Sequence, residues 1–243
     1  MRTAFRVTAE LTTPIILSGE TFLTLDALLS GVIFEDTGSV ERALTEIPLD
    51  RTQDVWHGSA VFLSTCALRT AAPFKAGLGM RDIENGSIDR LALKRLAKGA
   101  RKGGVAKIDT VRDAYQSTLV YYSAYRTPWA CWFGCGDIVA VEDLLRDVPA
   151  IGKKRRQGYG RVERIEVEPI EEDFSLSRIV GGARQPMRPI SLETWGLLYR
   201  GGEACSIGCT RSAPPYFQGE AQMCAIPPAR EVFWGKVARQ SVL

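Results

Sequence analysis

Phe5, Val7 and Ala9 alternate with Arg6, Thr8 and Glu10 near the start of the chain, a period of two that predicts a half-buried first strand over 4–11. After Pro14 and Gly19 the period changes. Leu25, Leu28, Leu29, Val32 and Ile33 recur at helical spacing, Thr24 stands where an N-cap belongs, and Thr37-Gly38 marks the stop. Trp56 to Thr65 reads as a second strand. Few strand signals follow until Gln116 to Tyr125, where Thr118, Val120, Tyr121 and Tyr122 predict a returning strand. Between them, Leu91 to Lys98 predicts a short helix, and the glycines around Arg101 and Lys102 a loop tip.

The run Trp129 to Gly136 is apolar on both sides, as a buried strand requires, and Asp137 is placed to cap a helix whose apolar face is Ile138, Val141, Leu144, Leu145 and Val148. A glycine-rich basic loop, Gly152 to Arg161, leads into the alternating strand Val162 to Glu168. Strand, helix, strand, then again strand, helix, strand, is the order of a ferredoxin-like α+β core, the arrangement used by RNA-recognition motifs. The expected organisation is a core over 1–175 holding a basic insertion at about 73–125, followed by an extension over 176–243. That extension is rich in Gly and Pro without a clean period, which predicts irregular structure and short strands packed over the core.

Composition adds limits. With 243 residues, 45% of them hydrophobic, and a net charge of +3, the chain is long enough to bury a real core and is neither a disordered tail nor a disulfide miniprotein. No window approaches the ~18 consecutive apolar residues of a membrane helix, and Met1 to Arg6 lacks the apolar run of a secretory signal. A cytoplasmic location with reduced thiols and no membrane partner is expected.

Charge is distributed unevenly, which bears on partners more than its total does. Arg90, Lys94, Arg95, Lys98, Arg101, Lys102 and Lys107 fall within one stretch that contains no acid, and the stretch from Gly152 to Arg164 is nearly as basic, with Glu163 alone opposing six cations. The rest of the chain is net acidic. Two concentrated basic patches on a mildly acidic body are the footprint of a polyanion partner. In the second patch, Gly152, Gly158 and Gly160 permit positive φ and close backbone approach, so that main-chain N–H groups can face a phosphate while Lys153, Lys154, Arg155, Arg156 and Arg161 neutralise it. Tyr159 is placed to stack on a base or ribose. The stretch is not a Walker loop, because the Lys-Ser/Thr spacing is absent, and it precedes a strand instead of opening a helix as a dinucleotide fingerprint does.

The sequence Gly-Lys-Lys-Arg-Arg-Gln-Gly-Tyr-Gly-Arg, between the last helix and last strand of such a core, resembles the signature of the RAMP superfamily, the RNA-binding subunits of CRISPR systems. Leu25-Asp26-Ala27-Leu28-Leu29 after the first strand is similar to the first helix of the type IV branch that caps the 5′ handle of the guide RNA. The resemblance covers roughly 1–65 and 127–170. It implies a noncatalytic subunit of a ribonucleoprotein effector complex. Gly152 to Arg161 would hold the guide RNA, and the basic insertion would grip RNA or the target double-stranded DNA beside its flanking motif. It implies as partners the backbone and large subunits of the complex, and through the complex a DinG-type helicase. No cofactor is expected.

Two other readings compete. His57 is the lone histidine, and an imidazole titrating near neutrality suits general acid-base cleavage of precursor RNA. A single His beside Trp56 at a strand start is more often a packing or capping residue. The other reading is a purely structural subunit whose basic loop docks protein. The cysteines offer thiolates at Cys131-x₃-Cys135 and Cys205-x₃-Cys209, with Cys224 further on. Cys131 and Cys135 on one strand would stand about 13 Å apart, too far to share a zinc, and the remaining three lack an evident fourth ligand, so buried, reduced core thiols and no metal are expected. Trp129, Trp132 and Phe133 fit core packing. Arg178, Arg184, Arg188 and Arg211 read as scattered surface cations, and Glu163, Glu166 and Glu168 as a solvated strand edge.

Overall fold

The computed structural model describes residues 3–17, 22–64, 67–76, 118–199, 205–216 and 220–227. Strand β1 (Thr3–Leu11) occupies an inner position of a four-stranded antiparallel sheet. Its neighbours are β8 (Trp129–Gly136) on one side and β9 (Val162–Pro169) on the other, and β5 (Phe62–Leu63) closes the far edge, giving the order β5-β8-β1-β9. Val7 lies opposite both Trp132 and Val167. The period of two places Phe5, Val7 and Ala9 on one face, each with no exposed surface.

That face is covered by two helices. Helix α1 (Leu25–Thr37) starts after Thr24, whose side chain makes no cap hydrogen bond, and ends at Gly38 in the left-handed region, whose N–H donates to Phe34. A short α2 (Val40–Thr45) follows. Helix α3 (Ile138–Leu145) is capped as expected, Asp137 accepting hydrogen bonds from the N–H groups of Val139 and Ala140. Leu25, Leu29, Val141, Leu145 and Ile151 pack with Phe5, Val7 and Trp132 in the main core. Trp132 is wholly buried, with its indole N–H donating to the Leu23 carbonyl at 3.0 Å. On the opposite face of β8, Cys131 and Phe133 pack with Phe62 and Met187, and Phe174 adjoins them. This accounts for the two-sided apolarity of Trp129 to Gly136, because the chain beyond residue 170 returns to cover the second face.

The fold class is α+β, with mostly antiparallel sheets. Three local expectations need correction. The strand expected over Trp56 to Thr65 is broken into β4 (Val55–Trp56), paired with β3 (Arg51–Thr52), and β5, with isolated bridges from Gly58 to Gly134 and from Ala60 to Thr24 between them. Its ladder is interrupted where the carbonyls of Trp56 and Gly58 accept from the Arg188 guanidinium. Second, β6 (Leu68–Ala76) is a nine-residue strand where few strand signals occur. It is the edge of a three-stranded sheet ordered β2-β7-β6, formed with β2 (Ile15–Ile16) and β7 (Thr118–Arg126). An edge tolerates Pro73, which has no N–H to donate.

Third, the extension holds a helix besides the short strands that were expected. Strands β10 (Ser177–Val180) and β11 (Ala183–Pro186) form a hairpin. After them come β12 (Ile190–Ser191), α4 (Leu192–Leu198), β13 (Ser206–Thr210) and β14 (Gln222–Ile226), with the strands in the order β12-β14-β13. Val55, Leu176, Ile190, Trp195 and Ala225 make a second small core. Strands of two to five residues are too short to show a period, and the burial of these side chains is decided by contacts distant in sequence. By compactness the chain divides into two units, Met1–Thr70 with Ser123–Leu243, and Ala71–Tyr122. In the second, Phe74 and Tyr122 meet edge to face at 5.6 Å.

Candidate nucleic-acid interface

The loop between α3 and β9 is held by its own backbone. Ala150 bridges to Arg161, and the Ile151 N–H donates to Gly160 at 2.8 Å, so the loop closes on itself. Lys154 takes a left-handed conformation at φ 62° and precedes a single 3₁₀ turn over Arg155–Gln157, which Gly158 ends at φ 88°. Gly160 is a site where only glycine fits. At φ 64°, an added Cβ would stand 1.9 Å from the Ile151 carbonyl oxygen.

The loop docks on the segment after β1. Lys153 N–H donates to Ile16 at 2.9 Å, Gly160 N–H to Pro14 at 2.8 Å, and Arg161 N–H to the Thr13 hydroxyl at 2.9 Å. Gln157 and Gly158 N–H groups donate to Lys154 and Arg155. This corrects one expectation. The N–H groups of Lys153, Gln157, Gly158, Gly160 and Arg161 are already committed to the protein's own acceptors, so at these positions the backbone offers no cradle for an anion. The glycines shape the loop, and Lys153, Arg155, Arg156 and Arg161 are exposed on it.

Arg155, Arg156 and Arg161 are exposed and line one recess of about 730 Å³ with Thr12, Glu35 and Pro149. That volume lies in the ~300–1,000 Å³ range of ligand clefts. Glu35, near the end of α1, engages Arg155 through both carboxylate oxygens. Its place in the site was not legible in the sequence, because 120 residues separate the pair. Lys153 is exposed, whereas Lys154 and Tyr159 are half-buried. Arg90, Lys94, Arg95, Lys98, Arg101, Lys102 and Lys107, with the expected short helix and loop tip, lie outside the described residues.

The remaining candidates fall elsewhere. The acidic edge of β9 is a lattice of exposed pairs, with Arg164 bound to Glu10 and Glu166, and Arg6 to Glu168. Arg188 is no surface cation. Its guanidinium is wholly buried and pairs with Asp26, the Ser212 carbonyl and the Tyr216 hydroxyl. Arg178 is also buried. His57 is buried, with Nε2 2.7 Å from the Thr52 hydroxyl and Nδ1 3.3 Å from that of Ser175. Asp173 stands 3.5 Å from Nδ1. Burial pushes its pKa upward, but hydrogen bonds to His57 and Ser175 outweigh this and hold it at about 2. Cys131 is a core thiol whose pKa burial drives well up. Trp132 and Phe133 are buried in the core, as expected.

Over residues 3–176 the chain matches the family model of the CRISPR type IV associated protein Csf3. It belongs to that family, and so is a type IV CRISPR-associated subunit. No curated protein matches it. No helix among the described residues is long and apolar enough to cross a membrane.

Proposed function

We propose that this subunit is a noncatalytic RNA-binding member of the type IV effector complex that holds the 5′ handle of the guide RNA. The observation that carries the reading is the convergence of Arg155, Arg156 and Arg161 on one recess, above a loop whose shape the backbone dictates. Guanidinium groups bind phosphate in a fork geometry, so a rigid loop presenting three of them favours a fixed path for an RNA backbone over diffuse attraction. The strand order β5-β8-β1-β9 with both helices against one face supports a ferredoxin-like core of the RAMP type. In this reading the subunit works in the cytoplasm and contacts the backbone and large subunits. The Arg90–Lys107 stretch grips RNA or the target DNA duplex near its flanking motif, and a DinG-type helicase joins through the complex.

Binding without cleavage is favoured by the burial of His57 among hydroxyl and carboxylate partners, which leaves the imidazole little access to a 2′-OH. The test is the salt dependence of binding to a guide RNA carrying its 5′ handle, wild type against Arg155→Ala/Arg156→Ala/Arg161→Ala, with gels of the same samples. Each lost phosphate contact lowers the log-log slope by about 0.7 on single-stranded RNA. A shallower slope with intact RNA is the expected result. Cleaved RNA would establish the endoribonuclease reading instead, and an unchanged slope would leave the loop a protein-docking element.

A further inference from the structure

His57, Cys135 and Asp173 form a second grouping that the proposed RNA contact does not use. A ring nitrogen of His57, the Sγ of Cys135 and a carboxylate oxygen of Asp173 all lie within 4.8 Å of one another. They come from the turn after β4, the end of β8 and the segment before β10. His57 and Cys135 are 5% and 3% exposed, and Asp173 lies at the surface.

The main chain fixes two of these residues together with a third, Asp50. His57 N–H donates to the Asp50 carbonyl at 2.8 Å, Asp50 N–H to that of Cys135 at 2.8 Å, and Cys135 N–H to that of His57 at 3.0 Å. This is a closed ring of three hydrogen bonds that ties the Asp50 to His57 turn to the distant end of β8. The close approach depends on Gly136, where an added Cβ would stand 2.5 Å from the Pro48 carbonyl oxygen. The Asp50 carboxylate also reaches the Cys135 Sγ, at 3.6 Å.

We propose that His57, Cys135, Asp173 and Asp50 form a binding site for a zinc-class divalent ion. One thiolate, one imidazole and two carboxylates suit a borderline-soft metal and not magnesium or calcium, which take oxygen alone. Tetrahedral zinc bonds of about 2.3 Å to sulfur and about 2.0 Å to nitrogen or oxygen place S and O about 3.5 Å apart and N and O about 3.3 Å apart. The observed separations are 3.6 Å from Cys135 Sγ to Asp50 Oδ2 and 3.5 Å from His57 Nδ1 to Asp173 Oδ2. Within His57, Cys135 and Asp173 the separations of up to 4.8 Å close by about an ångström, which the surface side chain of Asp173 can supply, and Asp50, outside that spacing but beside Cys135, completes the set by rotation of its own side chain. Thr52 acts on the far side of the ring. With Nε2–H donating to its hydroxyl at 2.7 Å, the orienting role that outer partners of ligating histidines play, the metal replaces the contacts that Nδ1 otherwise makes with the Ser175 hydroxyl at 3.3 Å and with Asp173. On binding, the Cys135 thiol gives its proton to solvent as the sulfur–metal bond forms. The ion ties the segment that leads into β10 to the end of the central sheet, independently of any role in RNA binding.

The experiment is a Co²⁺ titration of the chelator-treated, full-length protein, followed by the near-ultraviolet thiolate charge-transfer band, with zinc content of the untreated protein by mass spectrometry. One metal per chain and a thiolate band are expected. Asp173→Asn, a conservative change at the surface, should weaken Co²⁺ binding about tenfold or more, and Cys135→Ser should abolish the band. Cys131→Ser, on the same strand but outside the group, should leave it intact, and circular dichroism checks that each variant is folded. Absence of the band in the wild type, its survival in Cys135→Ser, or undiminished affinity in folded Asp173→Asn would each overturn the site.

Discussion

The Arg188 guanidinium and the Asp26 carboxylate, 162 residues apart in the chain, form an ion pair at 3.0 Å with neither side chain exposed. Arg188 also donates to the carbonyls of Gly58 and Ser212, and the Tyr216 hydroxyl donates to Asp26 at 2.6 Å. A buried charge costs several kcal/mol to desolvate, so this network survives because nearly every donor is matched. Burial alone would lower the Arg188 pKa, but Asp26 and Tyr216 carry it above its ordinary value. The pair joins the start of α1 to the segment between β11 and β12, which lies beyond the residues matched to the family.

Breaking either side of this pair is therefore expected to destabilise the protein by about 3–5 kcal/mol. Urea denaturation of Asp26→Leu and Arg188→Met measures it. The double variant should lose less than the sum of the singles, since each then lacks an unpaired partner. It should still fall short of wild type, because the Gly58 and Ser212 carbonyls lose their donor, at about 1–3 kcal/mol. A double variant as stable as wild type would show that the carbonyl contacts contribute nothing.

Glu35 already holds Arg155 in the geometry a phosphate would use. If the loop holds guide RNA as proposed, Glu35→Gln should strengthen that binding, by about twofold to threefold for an exposed pair. Arg156→Ala and Arg161→Ala should each weaken it and reduce the salt slope by about 0.7. Filter binding across a salt series reads both effects, and weaker binding by Glu35→Gln would mean that the carboxylate helps position Arg155 instead of competing with RNA.

Two glycines of the same loop should differ sharply. At Gly158 the backbone is left-handed but an added Cβ meets nothing within 4 Å, so Gly158→Ala should cost about 1 kcal/mol. Gly160→Ala adds an overlap with the Ile151 carbonyl and should cost about 3 kcal/mol. Thermal melts of the two variants compare them directly, and equal losses would mean that the loop is not anchored as described.

Among the described residues, the cysteines should react in order of burial. Cys209 is exposed, whereas burial, reinforced by neighbouring Cys209, pushes Cys224 up to about 11, and burial also drives Cys131 well above the usual thiol range. Since the thiolate is the nucleophile, Cys224 at pH 8 is only about 0.1% reactive. Brief alkylation at pH 8 with peptide mapping should modify Cys209 first, Cys131 only after unfolding, and Cys224 increasingly as pH approaches 11. Early modification of Cys131 would contradict its place in the core.

The elements that carry their own pattern were legible from the sequence. The alternation of Phe5, Val7 and Ala9, the helical spacing of Leu25 to Ile33, and the cap at Asp137 all stand where local periodicity and capping chemistry put them. The glycine-rich basic loop was visible for the same reason, because φ > 0 and clustered charge are written in residue type. What the tertiary structure decided depends on partners distant in sequence. Arg188 reads as a surface cation until Asp26 and three backbone carbonyls surround it. Trp56 to Thr65 reads as one strand until that same guanidinium takes its acceptors. Likewise Glu35 joins the arginine recess, and Cys135 meets His57 and Asp173, only through the fold. Pairing energy between such groups is set by distance and burial, and neither is encoded in any local window of residues.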